Sequence, residues 1–312
     1  MTLTELRYIV AVARERHFGR AAESSFVSQP TLSVGIRKIE EELGVALFER
    51  GSGEVTLTAV GARIVEQAQR VLEQVQGIRD LARQGQDPLR GPLRIGVIYT
   101  IAPYLLPGLV RILHKRAPQM PLLLQENYTH RLRELLKQGD IDAAILALPF
   151  EEPGFIIQPL YDEQFVVTVP RDHAWAQRKS VRGSELNKET MILLGAGHCF
   201  RDQVLRYSPE LNRYADGDGI QKTFEGSSLE TIRQMVASGI GLTVLPATSV
   251  PARVPRDSLL RYIPFAAPIP DRRVVLVYRK SFPRKAAIDE LLKAVHDCEL
   301  PGSRKLRLPP AE

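Results

Sequence analysis

Two cysteines and one tryptophan among 312 residues are the scarcest features of this chain. Two thiols cannot make a disulfide framework, so the fold has to rest on an apolar core. No apolar run approaches the ~20 residues that a membrane-spanning helix needs. The opening residues, "MTLTELRYIV", lack the basic stretch and long apolar core of a secretory signal. A cytoplasmic setting is expected, where thiols are kept reduced, and neither a membrane, a metal nor a cofactor is expected as a partner. A periplasmic solute-binding protein is excluded on the same ground.

The hydrophobic fraction of 44% and charged fraction of 25% are those of an ordinary water-soluble protein. The length suggests about two domains of roughly 150 residues each. A net charge of +6 permits a nucleic-acid partner without establishing one. Residues 1–60 hold seven Lys/Arg against eight Asp/Glu, so any DNA binding there depends on sorting charge to one face.

In "TLTELRYIVAVARER", Leu3, Leu6, Ile9 or Val10, and Ala13 recur at helical spacing. Ala21 and Ala22 are small enough for a close helix–helix contact. Ser28 is a good N-cap, Pro30 suits a first helical turn, and Gly44 stops the helix "PTLSVGIRKIEEELG". Leu32, Ile36, Ile39 and Leu43 form its apolar stripe. The other face carries Gln29, Thr31, Ser33, Arg37 and Lys38, residue types that read base edges and grip phosphates. "LFERGSGEVTLT" reads as a β-hairpin wing with Arg50 at its base. Helix pattern alone also allows a plain three-helix bundle.

Beyond Thr58, the residues Ile64, Ala68, Val71, Val75, Ile78 and Ala82 alternate in steps of four and three. That spacing makes either a two-helix seam between chains or an amphipathic helix on its own domain. "GQDPLRGP" then breaks the helix. From residue 91, strands such as "PLRIGVIYT", "MPLLLQENYT", "IDAAILALP" and "ETMILLG" alternate with helices, as in an α/β domain with a parallel sheet. Thr100 and Thr129 end the first two of these strands, where ligands of open parallel sheets sit; both could also be simple caps. Cys199, in "GAGHCFRDQ", is placed at a strand-to-helix turn beside His198 and Arg201. A helix start and cationic neighbours favour a reactive thiolate; a buried inert thiol is the other reading.

The stretch "HFGRAAESSFVSQPTLSVGIRKIEEELGVALFER…TLTAVG" resembles the winged helix-turn-helix of LysR-type transcriptional regulators. "RIGVIYTIAPYLLP", "QENYTHRLRELL", "DAAILALPF", "GHCFRDQ" and "SSLETIRQMVASGIGLTVLP" resemble the peroxide-sensing members of that family, a likeness running from residue 1 to about residue 300. The resemblance implies a winged helix-turn-helix over 1–58, a linker and dimerisation helix over 59–90, and a two-lobed periplasmic-binding-protein-like domain over 91–300. Lobe I would take 91–162 and 268–300, lobe II 163–267, with 301–312 as a tail. It further implies a transcription activator of the oxidative-stress response and not an enzyme. The implied partners are promoter DNA, hydrogen peroxide, RNA polymerase and further copies of the chain, as a dimer of dimers.

Carried over by position, Ser28, Gln29, Pro30, Thr31, Ser33, Arg37, Lys38 and Arg50 would meet DNA. Cys199 would be the peroxide-reactive thiol, with Thr100, Thr129, His198 and Asp202 holding peroxide. Ser208 stands where the family has its resolving cysteine, either by an introduced cysteine-to-serine exchange or as a natural variant. Cys298 is read as a bystander. The alternative function is a LysR-type regulator that binds a metabolite between its lobes, with Cys199 incidental.

Overall fold

The computed structural model describes residues 1–49, 55–84, 89–209, 211 and 228–307. The chain forms two compact units, Met1–Asp87 with Ser281–Arg284, and Pro88–Lys280 with Lys285–Glu312.

In the first unit, α1 (Leu3–Glu15), α2 (Phe18–Ser24) and α3 (Gln29–Leu43) lead to a short hairpin of β1 (Phe48–Glu49) and β2 (Thr56–Leu57), then to α4 (Ala59–Gln84). Leu6, Ile9, Val12, Leu32, Ile36 and Ile39 make its core. Gly35 lets α3 cross α1 closely, since a Cβ there would lie 2.8 Å from the Tyr8 ring. Ser28 caps α3 through a bond from the Thr31 N–H at 3.3 Å, and Gly44 ends it at φ 67°. Arg50 and the hairpin turn lie outside the described residues, as does the Ala82 side chain.

The apolar seam on α4 divides. Ile64, Val65, Ala68 and Leu72 pack against their own unit's core, whereas Val71 and Ile78 are exposed. The reading as an amphipathic helix on its own unit therefore holds at Ile64 and Ala68, and Val71 and Ile78 leave apolar surface open to another chain.

The second unit runs β3 (Leu93–Ile98), α5 (Ala102–Arg116), β4 (Leu122–Asn127), α6 (Thr129–Gln138), β5 (Ala143–Ala147) and β6 (Phe155–Pro170). It continues with α7 (Cys199–Tyr207), α8 (Leu229–Ala237), β7 (Thr243–Pro246), β8 (Leu260–Pro264), β9 (Asp271–Arg279), α9 (Lys285–Asp297) and β10 (Ser303–Lys305). The main sheet has the order β10-β6-β9-β5-β3-β4. Only β3, β4 and β5 are mutually parallel; β9, β6 and β10 join antiparallel, so the sheet is mixed and not the parallel one the strand–helix alternation suggests.

The 16-residue β6 belongs to two sheets: Phe155–Gln164 pairs with β9, and Phe165–Pro170 pairs with β7 and β8. "ETMILLG" contributes a single bridge, Met191 to Leu242, in place of a full strand. "GIQKTFEGS" lies outside the described residues. Part of the expected tail is structured, because Ser303–Lys305 pairs with Tyr161–Glu163.

Glu5 links the start of α1 to α3. It closes a capping box with Thr2 and accepts a bond from Lys38 Nζ at 2.8 Å. Chiefly that lysine, helped by the Thr2 N–H and hydroxyl against opposing burial, holds its carboxyl at about 2 instead of 4.5. A depressed carboxylate stabilises the fold fully above its unfolded value and loses that contribution as pH falls toward its folded value. Glu5→Gln should therefore melt below the parent at pH 7, with the gap closing between pH 5 and 2. A gap constant across that range contradicts the account.

Candidate functional site

Three helix starts meet at one small cleft in the second unit. It is lined by Ile98, Tyr99 and Thr100 ahead of α5, by Asn127, Tyr128 and Thr129 at the start of α6, and by Gly197, His198 and Cys199 at the start of α7. Each helix start carries a positive partial charge at its end of the cleft. The room inside is about 10 Å³ for the centre of a water-sized molecule. A cleft of that size admits a solute on the scale of water and leaves no space for an organic metabolite.

Cys199 is half-buried and is the first residue of α7, where its sequence context puts it. Gly197 reaches the turn at φ 95°, a left-handed conformation natural to glycine. His198 is buried, its Nε2 has no hydrogen-bond partner, and burial lowers its pKa. It is thus a neutral imidazole that acts on a ligand by hydrogen bonding. The expected help to the thiolate from a protonated His198 is corrected accordingly. Thr129 Oγ1 is likewise buried without a partner. Two orphan polar atoms beside a thiol mark a place where a small polar molecule would complete the hydrogen bonding.

Thr100 is different, because its hydroxyl is already engaged. Arg272 donates from Nη1 to Thr100 Oγ1 at 2.8 Å and from Nη2 to the Thr100 carbonyl at 3.1 Å. Its Nε donates to Glu163 Oε1 at 2.6 Å, and both side chains are almost wholly buried, 1% and 0% exposed. Glu163 also accepts from the Thr248 hydroxyl. The Arg272 guanidinium lies 5.0 Å from the centre of the Phe200 ring, and Phe200 packs edge-on to Phe165 at 4.9 Å. One buried cation therefore fixes both the threonine on one side of the cleft and the residue that follows the cysteine on the other. With an acceptor site of Thr100 Oγ1 filled by Arg272, its proton is free to be donated. Sequence reasoning missed this pair; the signal was the charge standing just ahead of the apolar runs "FVVTVP" and "VVLVY", in "DEQ" and "DRR".

Other expected residues lie elsewhere. Asp202 is exposed in the first turn of α7 and does not line the cleft. Ser208 follows the last residue of α7, is 1% exposed, and donates to the Gly183 carbonyl at 3.4 Å. Cys298 is buried, donates to the Ala294 carbonyl at 3.2 Å, and has its thiol pushed up to about 11 by burial. That is an unreactive setting.

In the first unit, Ser28, Gln29, Pro30, Thr31 and Arg37 are exposed on α3 and before it, and Ser33 is half-buried. Lys38 is exposed too, but its amine is engaged by Glu5.

Comparison with known proteins accords with this arrangement. The lysR-family bacterial regulatory helix-turn-helix matches residues 3–62, and the LysR substrate binding domain matches 86–298. The chain belongs to the LysR family. It is 43% identical to the DNA-binding transcriptional dual regulator OxyR of Escherichia coli K12, over 95% of both chains. It is also 43% identical to the hydrogen peroxide-inducible genes activator of Pectobacterium carotovorum, over 95% of this chain and 96% of that one. Full-length OxyR from Pseudomonas aeruginosa, with a cysteine-to-aspartate change, superimposes with a TM-score of 0.78 at 50% identity, covering 98% of this chain and 99% of that one. A peroxide-bound cysteine-to-serine OxyR mutant from Corynebacterium glutamicum gives a TM-score of 0.62 at 33% identity, covering 95% of this chain and 91% of that one.

Removing one partner of a buried ion pair leaves an uncompensated charge, a loss of about 3–5 kcal/mol. Arg272→Ala should therefore lower the urea midpoint of the second unit well beyond any surface change. An unaltered midpoint would show that Arg272 does not hold the site together.

Proposed function

We propose that this protein is a DNA-binding transcriptional regulator of the oxidative-stress response that senses hydrogen peroxide by oxidation of Cys199. The observation that carries the reading is the cleft itself: a half-buried thiol at a helix start, two unpartnered polar atoms beside it, and room only for a water-sized solute. The thiolate sulfur attacks one peroxide oxygen, and the O–O bond breaks. Sulfenic acid stays on Cys199, and the departing hydroxide takes a proton to become water. Thr100 donates its hydroxyl proton, Thr129 and His198 supply the remaining hydrogen bonds, and Asp202 has no direct part. The chain uses one peroxide per thiol and then waits for reduction, which is signalling and not enzymatic turnover.

With Ser208 in place of a second thiol, no disulfide closes at that pair. Nine helical residues set positions 199 and 208 roughly 13 Å apart along the axis. A disulfide needs Cα atoms within about 7 Å, so α7 would have to unwind.

DNA reading is assigned to α3, with Ser28, Gln29, Pro30, Thr31, Ser33 and Arg37 at the interface and Arg50 at the wing. Lys38 serves the fold first. Two exposed apolar surfaces support self-association into a dimer of dimers: Val71 and Ile78 on α4, and Leu123 and Leu124 on the edge strand β4. RNA polymerase is the partner an activator needs. None of the described helices is long and apolar enough to cross a membrane.

A short peroxide pulse followed by peptide mass mapping should add one oxygen to Cys199 and leave Cys298 unchanged. The reverse pattern sinks the assignment. Ser208→Cys should restore a reductant-sensitive disulfide to Cys199, and failure to form one would count against the switch. Arg37→Ala should weaken operator binding and reduce the slope of log K against log[salt] by about one. An unchanged affinity and slope would remove α3 from the interface.

A further inference from the structure

The cleft is walled by aromatic rings that the peroxide chemistry does not use. Tyr128 packs edge-on to His198 with ring centres 4.9 Å apart, and edge-on to Tyr99 at 5.2 Å. Its other side stacks on His130 at 5.7 Å and 12°. Tyr99 also meets His198 edge-on at 6.0 Å. A Cβ built on Gly197 would lie 3.4 Å from the Tyr128 ring, so the ring leaves room for no more than a methyl group over the turn that carries Cys199. Tyr128 is thus flanked by three rings and lies over the turn that carries the thiol. It has little freedom to swing away.

We propose that Tyr128, braced by Tyr99, is the specificity-determining wall of this cleft and restricts Cys199 to hydrogen peroxide over alkyl hydroperoxides. The inference rests on Cys199 being the peroxide-reactive thiol. In either reaction the sulfur attacks the terminal oxygen of the O–O bond and becomes sulfenic acid. The other oxygen leaves as hydroxide or alkoxide and is protonated to water or alcohol. The electron balance is the same, so chemistry alone does not separate the two oxidants. Size does. Hydrogen peroxide carries one hydrogen on its leaving oxygen, whereas tert-butyl hydroperoxide carries four carbons. A space of about 10 Å³ for a water-sized centre is close to the smallest oxidant and leaves no place for a tert-butyl group unless a ring moves. Tyr99 is 36% exposed, whereas Tyr128 is half-buried and contacts three rings. The more confined ring is therefore the one that sets the limit.

The test uses the full-length protein. Second-order rate constants for oxidation of Cys199, read by trapping the sulfenic acid and mapping the peptide, are measured with hydrogen peroxide and with tert-butyl hydroperoxide. The parent should prefer hydrogen peroxide by about a hundredfold, the scale on which a close-fitting site separates ligands by bulk. Tyr128→Ala should lower that preference by about tenfold or more, through a faster reaction with the alkyl hydroperoxide. Tyr128→Phe, which keeps the ring, should keep the preference. Tyr99→Ala supplies a second opening of the wall, on a more exposed residue, should Tyr128→Ala fail to fold. Its expected effect is smaller and of the same sign. A parent without preference, or a preference unmoved by both alanine variants, overturns the gate while leaving Cys199 as the sensor. A parent whose Cys199 reacts with neither oxidant overturns the sensor reading, and the gate falls with it.

Discussion

The second unit depends on one buried ion pair. Glu163 and Arg272 are direct cross-strand partners in the β6–β9 register, and their side chains are almost fully excluded from water. Desolvating two charges is unfavourable by several kcal/mol each, and the pair is tolerable only if its geometry and hydrogen bonds are complete. Here they are nearly so: Arg272 donates to Glu163 and twice to Thr100, and Glu163 also accepts from Thr248. The next residues repeat the pairing on the opposite face, where Arg273 and Arg304 flank Asp162. A one-residue slip of β9 against β6 would exchange the buried arginine for the exposed one and strip Glu163 of its partner. The charges thereby lock the register that the apolar residues around them would tolerate less strictly.

From that lock the reactive site follows. Arg272 holds Thr100 through hydrogen bonds and Phe200 through its ring face, so the distance across the cleft is set by a side chain rooted in neither wall. The thiol then meets three helix starts, a neutral histidine and a ring wall. Positive partial charge from backbone dipoles gathers at the cleft, and burial disfavours the charged form of the imidazole.

How much of this was legible in the sequence varied with the range of the interactions. The helix-turn-helix was legible because its signals are local: Ser28 and Pro30 open α3, and Gly44 closes it. Cys199 at a helix start was legible from Gly197 and the Arg-Asp that follow. Asp202 was misplaced because the cleft lies at the very start of α7, and the Asp202 side chain, within the first turn, is exposed and does not line it. The α4 stripe divided because periodicity gives a face but not what covers it; α1 covers its first part only. Glu163 and Arg272 stand 109 residues apart, and no local pattern joins them. Tyr99 and Tyr128 carry no signal in the sequence, because only the pairing of β3 with β4 brings their rings together.

The position of β9 also dictates the order in which the chain can be completed. β9 sits between β5 and β6, although both of those strands are made long before it. Until Arg272 leaves the ribosome, β5 presents an open edge on that side and Glu163 has no counter-charge. Synthesis of the 109 residues between them takes roughly 5–20 s at ordinary translation rates. Throughout that interval the nascent sheet is a template for pairing with other chains. Its protection during synthesis must therefore come from whatever shields nascent chains, because the strand that seals it is among the last to appear.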